Sequence, residues 1–306
     1  MRGIAACLVI AAAAAAACSR TPEPEGPERP ASLQILALDD FRTSAQARSV
    51  AFAFLRAYAG SPADGGRALE PLVEGLAREW AHWVTIQNAG FPGTIEGNLQ
   101  LGHLGPATPV RAEDGSLDEL VAYGVVVRAT VTFSFRHENG EPVPPLQRLM
   151  DGLVVMIQGS DGTFRVISFV RDGRRLDEFF LVFDGATERQ AGVTVEIRSL
   201  VQLERWQFGI EITNDTGRPL HILPKLTALL TQEDEPTSSD RPLVTFPTPI
   251  RPGESAEGIL SFVPPATAGE MDLHVAVAGP DGEATAFRFG VPQTAGATTP
   301  SPTTTP

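Results

Sequence analysis

The sequence predicts two folded domains: an α+β domain whose helices pack on a curved sheet, and an all-β sandwich that follows it. Three patterns in the residue order carry this prediction. Apolar residues first recur at spacings of three and four, then alternate with polar residues, and finally fall into short alternating runs separated by turn residues. The content of 42% hydrophobic and 20% charged residues is typical of a chain that buries a core.

The chain opens with the features of an export signal. Met1-Arg2 gives a positive start, an apolar run rich in alanine follows, and Cys18 comes directly after Ala17. A basic start, an apolar stretch and small residues before the cut are typical of a signal peptide. We therefore expect residues 1–17 to be removed.

The small residues that end on Cys18 resemble the lipobox of bacterial lipoproteins, although Ala15 stands where that family usually has leucine. The resemblance implies that the Cys18 thiol receives a diacylglyceryl group and becomes the first residue of the mature chain. It also implies an exported protein, anchored by lipid on the extracytoplasmic face of a membrane. Residues 18–39, which include a stretch rich in Pro and Glu, would then form a tether. The alternative is an ordinary signal peptide followed by an incidental cysteine.

The first domain is placed at residues 40–184 and opens with two amphipathic helices. The stripe of the first helix, over residues 44–59, is Ala47, Val50, Phe54 and Tyr58. The stripe of the second is Leu69, Leu72, Val73, Leu76, Trp80, Trp83, Val84 and Gln87. Ser44 is the expected N-cap, and Pro62 together with Gly65-Gly66 is expected to end the first helix. Residues 90–109 are rich in Gly and Pro and predict an irregular connection.

Strands follow in the rest of this domain. Residues 121–137 alternate over their whole length and predict a long half-buried strand. Residues 149–158 and 163–170 predict two further strands, joined by a tight hairpin at residues 159–162. A short strand at residues 178–183 either belongs to this sheet or bridges to the second domain.

The predicted order of elements, helices followed by an antiparallel sheet, resembles the NTF2-like fold. The end of the sheet adds to this resemblance with the sequence Asp161-Gly162-Thr163-Phe164-Arg165-Val166. The resemblance implies an α+β cone in which helices and a bent sheet can enclose a pocket. Domains of this fold include enzymes, binding proteins and scaffolds, so the fold leaves the function open.

The second domain is placed at residues 187–292. Its predicted strands are residues 193–200, 206–213, 221–230, 258–263, 273–278 and 284–291, a pattern typical of a β-sandwich. The segment 250–264, Ile-Arg-Pro-Gly-Glu to Phe-Val-Pro, resembles a strand pair of immunoglobulin-like domains in exported bacterial lipoproteins. That resemblance implies an adhesive or shielding module. Residues 293–306, rich in Thr and Pro, predict a disordered tail, with a glycosylated stalk as the alternative.

Charge and cysteine content exclude several classes of partner. The formal net charge of −13 disfavours nucleic acid and any polybasic contact with a membrane. Cys7 leaves with the leader and Cys18 would be acylated, so the exported part has no disulfide. No histidine has a second ligand at metal-binding spacing, so we expect no metal and no cofactor. Asn214-Asp215-Thr216 matches a glycosylation sequon, but a turn is the expected role.

Three polar residues are the candidate ligand-binding residues: His82 beside the apolar stripe of the second helix, and Asp151 and Arg165 within strands. His82 and Asp151 could act as an acid–base pair in a cavity of the first domain. The alternative is that Trp80 and Trp83 fill the core and that the polar residues face water. A water-filled cavity joining His82 to Asp151 would favour a catalytic or carrier role.

The function expected from these patterns is that of a non-catalytic binding or assembly module of the cell envelope. Its partner would be an envelope protein or a small molecule. The alternative is a small-molecule-binding protein or enzyme that uses a pocket in the first domain. A structural spacer is the third possibility.

Overall fold

The computed structural model of the protein describes residues 41–64, 66–89, 93–110, 122–231, 243–264, 270–279 and 282–291. The helices are α1 Phe41–Asp64, α2 Leu76–Ala89 and α3 Leu176–Phe179. The strands are β1 Gly93–Val110, β2 Ala122–His137, β3 Pro142–Gln158, β4 Phe164–Ser168, β5 Val170–Arg171, β6 Arg174–Arg175, β7 Phe180–Val182, β8 Thr187–Gln190, β9 Val193–Gln202, β10 Trp206–Asn214, β11 His221–Ile222, β12 Ala228–Thr231, β13 Leu243–Thr245, β14 Ser255–Phe262, β15 Met271–Ala278 and β16 Ala284–Val291.

Several predictions concern parts of the chain that lie outside the described residues. These are the signal peptide at 1–17, the lipidation of Cys18, the tether through residue 39 and the tail at 293–306. Within the described ranges, no helix combines the length and the apolar character needed to cross a membrane.

Helix α1 extends beyond the predicted range at both ends. Ser44 lies inside the helix and is not its N-cap; its hydroxyl donates to the Ala107 carbonyl at 3.3 Å. Pro62 lies in the last turn without breaking the helix. Proline has no N–H for the Tyr58 carbonyl, and the Ser61 hydroxyl donates to that carbonyl instead, at 2.8 Å.

The predicted second helix begins later than its apolar pattern suggests. Residues 70–72 form a 3₁₀ turn, and Val73 then forms an isolated parallel bridge with Val166 of β4. Gly75 has φ +57°, a backbone conformation that glycine adopts without strain, and it redirects the chain into α2. The first part of the stripe therefore packs as extended chain and turn, and only the second part is α-helical.

The irregular connection predicted over residues 90–109 is wrong, because strand β1 occupies most of that range. β1 is the edge of its sheet, where a strand tolerates prolines such as Pro106 and Pro109. Gly97 has a packing role. A Cβ at this position would lie 1.9 Å from the Ala59 carbonyl oxygen, so glycine allows α1 to lie directly against the strand.

The first sheet is antiparallel with the order β1-β2-β3-β4, and α1 and α2 pack on one face of it. The alternation predicted for β2 is confirmed, since Val125, Val127, Ala129, Val131 and Phe133 are all buried. The hairpin at 159–162 is also confirmed: the Gly162 amide donates to the Gly159 carbonyl at 2.9 Å. The predicted strand at 163–170 is divided between β4 and β5.

The short segment at 178–183 serves as the bridge between the domains. It forms the end of α3 and then β7, and β7 pairs with β9 rather than with the first sheet. A strand that precedes the predicted boundary at residues 184–187 thus belongs to the sheet of the second domain.

The second domain consists of two antiparallel sheets that share one core. One has the order β13-β14-β10-β9-β7, with β8 also paired to β9; the other has β15 paired with β11, β12 and β16. We call the first of these the shared sheet. The predicted strand at 221–230 is divided, because the Thr227 hydroxyl holds a turn in place, donating to Leu223 and accepting from the Ala276 amide.

The sequon asparagine is part of a buried turn. The Asn214 side-chain amide donates to the carbonyls of Arg218 and Ile250 at 2.8 and 2.9 Å, and its oxygen accepts from the Thr216 amide. Asn214 is fully buried, so a glycan on this nitrogen would break both donated bonds. This geometry confirms the predicted turn.

The shared sheet is buried on both faces. Leu200 and Leu260 point into the core between the two sheets of the second domain. Val201 and Ile259, their neighbours along the strands, point the other way and belong to the core of the first domain. The two domains therefore meet through a continuous apolar contact.

Candidate functional site

The structure does not bring the three predicted site residues together. His82 lies on α2, and its Nε2 is 3.2 Å from a carboxylate oxygen of Glu257 on the shared sheet. Asp151 lies on the opposite, outer face of the first sheet, where its Oδ2 is 3.2 Å from Nε of Arg128. The possible His82–Asp151 pair therefore does not form, since each residue contacts a different partner.

Arg165 is held at the β3–β4 hairpin. Its Nη2 is 2.8 Å from Oδ2 of Asp161, and its Nη1 is 3.7 Å from Glu74. Hydrogen bonds from the Thr163 hydroxyl and amide, together with Arg165, lower the pKa of the Asp161 carboxyl to about 2. Arg165 thus stabilises a turn at the protein surface.

Aromatic side chains fill the space between the helices and the sheet, where an acid–base pair would have needed a cavity. Trp80 packs against Phe169 with ring centroids 4.6 Å apart and against Tyr58 at 5.1 Å. Phe54 lies 5.3 Å from Phe169 and is fully buried, as is Trp80. These aromatic residues therefore pack as part of the hydrophobic core, which was the alternative to a ligand cavity here.

A pocket of about 380 Å³ lies instead at the junction of the two domains. We call it the junction pocket. It is lined by Tyr58, Ser61, Trp83, Val84, Gln87, Asn88, Ile95, Phe133, Phe135, Leu146, Arg148, Arg171, Leu203, Glu204, Arg205 and Gln207. The volume falls within the range of about 300–1,000 Å³ that is usual for small-molecule sites.

The apolar wall of the junction pocket follows from the register of the first sheet. Phe133 pairs with Leu146 and Phe135 pairs with Val143, and the alternation of β2 directs both phenylalanines to the face that carries the helices. Tyr58 and Ser61 in the last turns of α1 form the adjoining wall. The wall is therefore the part of the inner sheet face that lies beside the end of α1.

Trp83 joins this wall to the shared sheet. A Cβ at Gly209 of β10 would lie 3.6 Å from Cδ1 of Trp83, so the indole packs directly over that glycine. The ring is almost fully buried, and its Nε1 donates to no described residue. A buried donor without a partner costs about 1–3 kcal/mol, which the aromatic packing of the junction must offset.

The charged side of the pocket is centred on an ion pair between the domains. Arg148 of β3 donates to Glu204, in the turn between β9 and β10, through two nitrogens at 2.5 and 3.3 Å. Asp172 also contacts Arg148 at 3.5 Å. Burial acts to lower the pKa of Arg148, but the hydrogen bond and charge of Glu204, with the charges of Tyr58 and Asp172, outweigh it and the pKa is raised.

The pKa of the Glu204 carboxyl is set by its burial and by the neighbouring arginines Arg148 and Arg171. Loss of hydration acts to raise its pKa, but the hydrogen bond from Arg148 and the charges of Arg148 and Arg171 outweigh that effect, so the pKa is lowered. Glu204 is therefore ionised and paired near neutral pH. A general acid or base works best with a pKa near the operating pH, and Glu204 lacks that property.

Arg171 is the most deeply buried of the pocket arginines, with its side chain 4% exposed. Its guanidinium carbon lies 5.1 Å from the ring centroid of Phe179. Its Nε is 3.4 Å from Asp172 but makes no hydrogen bond with any described residue. Arg205 is fixed by two bonds to Ser261, at 2.7 and 3.0 Å.

In the part of the chain that the structure describes, no three His, Cys, Asp or Glu side chains are placed to hold a metal ion. The junction pocket offers aromatic surface, amide groups and guanidinium groups. These groups bind and orient a molecule by packing, hydrogen bonding and charge.

The sequence contained part of the signal for this site. Phe133 and Phe135 belong to the apolar half of the alternation that predicts a strand over residues 121–137, but nothing in that pattern marks them as pocket residues. Arg148 and Glu204 are 56 residues apart, so no local pattern connects them. Their contact arises because β7 carries the chain into the shared sheet.

No protein-family model matches the chain, and no curated protein is similar to it at a significant level.

Proposed function

We propose that the protein is a non-catalytic binding module of the cell envelope that holds a small molecule in the junction pocket. The observation that carries this proposal is the pocket itself: an aromatic wall from the first domain, closed on one side by the Glu204 turn of the second. A pocket of this size that combines an aromatic wall with polar groups able to orient a ligand is typical of small-molecule binding.

The rival hypothesis, an enzyme that uses a pocket of the first domain, has less support. His82 and Asp151, its proposed acid–base pair, contact Glu257 and Arg128 and do not line the junction pocket. The lining carboxylate, Glu204, is ionised and paired with Arg148. A carrier or receptor role uses the same pocket without requiring a proton donor.

The proposed fold families agree with this role. Two helices on one face of a four-stranded antiparallel sheet, with a pocket beside that face, are similar to the NTF2-like arrangement. The two-sheet second domain is similar to an immunoglobulin-like sandwich, and in this chain it supplies one wall of the site. We propose both families as the best description of the domains.

A neutral fluorescent probe tests the pocket. Phenylnaphthylamine, an uncharged aromatic amine, should bind to the wild-type protein with enhanced emission. Leu146→Trp, at a lining residue 37% exposed, should fill the pocket and weaken binding about tenfold or more.

Leu149→Trp is the matched control. It introduces the same side chain on the same strand at a residue 43% exposed, but Leu149 does not line the pocket. This variant should bind the probe as the wild type does. Equal binding by both variants, or no binding by the wild type, would refute the proposed site.

We further propose that the protein is exported and anchored through lipid on Cys18, facing away from the cytoplasm, with no nucleic-acid partner. Intact mass and membrane partitioning of the native protein beside a Cys18→Ala variant test this. An acylated chain beginning at Cys18, with release only of the variant, supports the anchor. If both forms are unmodified and released, the anchor is refuted, and a secreted carrier becomes the better description.

A further inference from the structure

The junction pocket is positively charged although the protein is acidic. Of the described residues that line it, Arg148, Arg171 and Arg205 carry positive charge and only Glu204 carries negative charge. The chain as a whole has a formal charge of −13. The three arginines therefore give the pocket a positive charge in a protein whose net charge is negative.

Two of these arginines are held in fixed positions with little access to bulk water. The side chains of Arg148 and Arg171 are 13% and 4% exposed, and Asp172 lies between them at 3.5 and 3.4 Å. Asp172 is itself fixed by the Leu149 amide, which donates to its Oδ1 at 2.8 Å. The single negative charge of Asp172 thus compensates only one of the two positive charges of Arg148 and Arg171.

Glu204 supplies the remaining negative charge from an exposed turn. Its side chain is 66% exposed, yet both carboxylate oxygens accept from Arg148. These two hydrogen bonds stabilise an anion at this position, and they lower the pKa of the Glu204 carboxyl. A side chain on an exposed turn can leave such a position by rotating into solvent, whereas Asp172 remains in place.

We infer that the junction pocket is specific for an aromatic organic acid in its anionic form, and that Glu204 occupies the anion position when no ligand is bound. The inference rests on the proposed function. The aromatic body would pack between Trp83, Phe133 and Phe135, while the anionic group replaces the Glu204 carboxylate on Arg148. Bidentate pairing makes arginine well suited to recognise a carboxylate or related oxyanion.

The test compares two probes that differ in one anionic group. Anilinonaphthalene sulfonate and phenylnaphthylamine share the same aromatic skeleton, and only the first carries a charge. The wild-type protein should bind the sulfonate more tightly. Arg148→Gln should weaken sulfonate binding about tenfold or more relative to phenylnaphthylamine binding, the loss expected for one charge-assisted hydrogen bond.

Arg128→Gln is the control for the loss of an ion-paired arginine. Arg128 belongs to the same sheet and pairs with Asp151 at 3.2 Å, but it does not line the pocket. This variant should retain the binding of both probes. Retained phenylnaphthylamine binding by Arg148→Gln shows in addition that the variant is folded.

Glu204→Gln supplies a test in the opposite direction. Glutamine has nearly the same shape but no charge, so Arg148 becomes available to an external anion. Sulfonate binding should tighten several-fold relative to phenylnaphthylamine binding.

The outcomes separate the two proposals. If both probes bind equally in the wild type and in the two charge variants, while Leu146→Trp still blocks them, the anion inference is overturned and the proposed pocket stands. If Leu146→Trp blocks neither probe, both proposals are overturned. Tighter sulfonate binding by Glu204→Gln with weaker binding by Arg148→Gln supports the inference.

Discussion

The sheet of the first domain and the shared sheet of the second differ in the number of faces they bury. Strand β2 of the first sheet alternates, with Val125 and Val127 buried and Val126 between them exposed. Strand β14 of the shared sheet is buried without interruption from Gly258 to Phe262. One-sided burial gives alternation and two-sided burial gives continuous apolar runs, so the residue pattern records which sheet lies in the middle of the molecule.

The same difference explains where the pocket forms. The shared sheet has apolar layers against both faces, and Gly209 allows the Trp83 indole to pack directly on it. The inner face of the first sheet is covered by α1 and α2 and then by the Glu204 turn. Tight packing holds the domains together, and the looser boundary next to it provides the cavity.

The largest effect should come from truncating buried residues on the two faces of the shared sheet. Ile259→Ala and Leu260→Ala alter neighbouring buried residues that face the first and second domain cores, respectively. Each should lower the free energy of unfolding by about 2–5 kcal/mol, because both leave a cavity in a packed core. Urea denaturation followed by circular dichroism measures both losses.

The shape of the transition distinguishes a shared core from two independent domains. With a shared core, both variants keep one cooperative transition and shift it to lower urea concentration. If Ile259→Ala costs less than about 1 kcal/mol, or if two transitions separate, the junction is only a surface contact.

The next effect concerns the contact between α1 and the edge strand β1. Gly97→Ala places a Cβ 1.9 Å from the Ala59 carbonyl oxygen, so helix and strand must separate. The expected loss in the free energy of unfolding is about 1–3 kcal/mol. Gly60→Ala, in α1 with no atom within 4 Å of its new Cβ, should stabilise the protein by up to about 1 kcal/mol. Thermal unfolding of the two variants gives the comparison, and equal effects would contradict this account of Gly97.

Local pattern predicted the elements whose neighbours are close in sequence. The β2 alternation, the stripe of α1 and the hairpin ending at Gly162 all follow from residues within one element or one turn. Each also has one buried and one exposed face, or a turn that glycine marks. Such features are encoded where they occur, so a single sequence reveals them.

Features that depend on a distant partner were missed. The glycines and prolines of β1 suggested a loop, but Gly97 is required by the overlying helix and Pro106 is tolerated because the strand lies at an edge. The same limit applies to the site. His82 was grouped with Asp151, although the fold places it against Glu257, and Arg148 meets Glu204 only because the domains share a sheet.

A smaller effect should appear on acidification. The pKa of Glu204 is lowered in the folded protein, so its ionised form adds stability above its ordinary pKa of 4.5, and that stability is lost as pH falls through the lower, folded-state pKa. Because the side chain is largely exposed, solvent screening limits the contribution to about 1 kcal/mol or less. Glu204→Gln should therefore lose less stability than the wild type over this acidic range.

A double-mutant cycle assigns that effect to one contact. The cycle compares the free energies of unfolding of the wild type, Glu204→Gln, Arg148→Gln and the double variant. Their differences give the coupling between the two residues. The measurement is made at neutral pH and again below the ordinary pKa of Glu204. The coupling should favour folding at neutral pH and diminish in acid. A pH-independent coupling would show that shape, not charge, joins the two domains at this point.

The smallest effect should come from the outer face of the first sheet, where the structure places Asp151. Asp151→Asn removes one partner of an exposed ion pair with Arg128, 3.2 Å long. Exposed pairs contribute about 0.2–1 kcal/mol, so the change in the free energy of unfolding should lie at the lower end of that range. Binding of phenylnaphthylamine and anilinonaphthalene sulfonate should not change, because the residue does not line the junction pocket. A measurable loss of probe binding by Asp151→Asn would show that Asp151 takes part in ligand binding, as the sequence suggested. It would then place the ligand on the outer face of this sheet and contradict the junction pocket as the binding site.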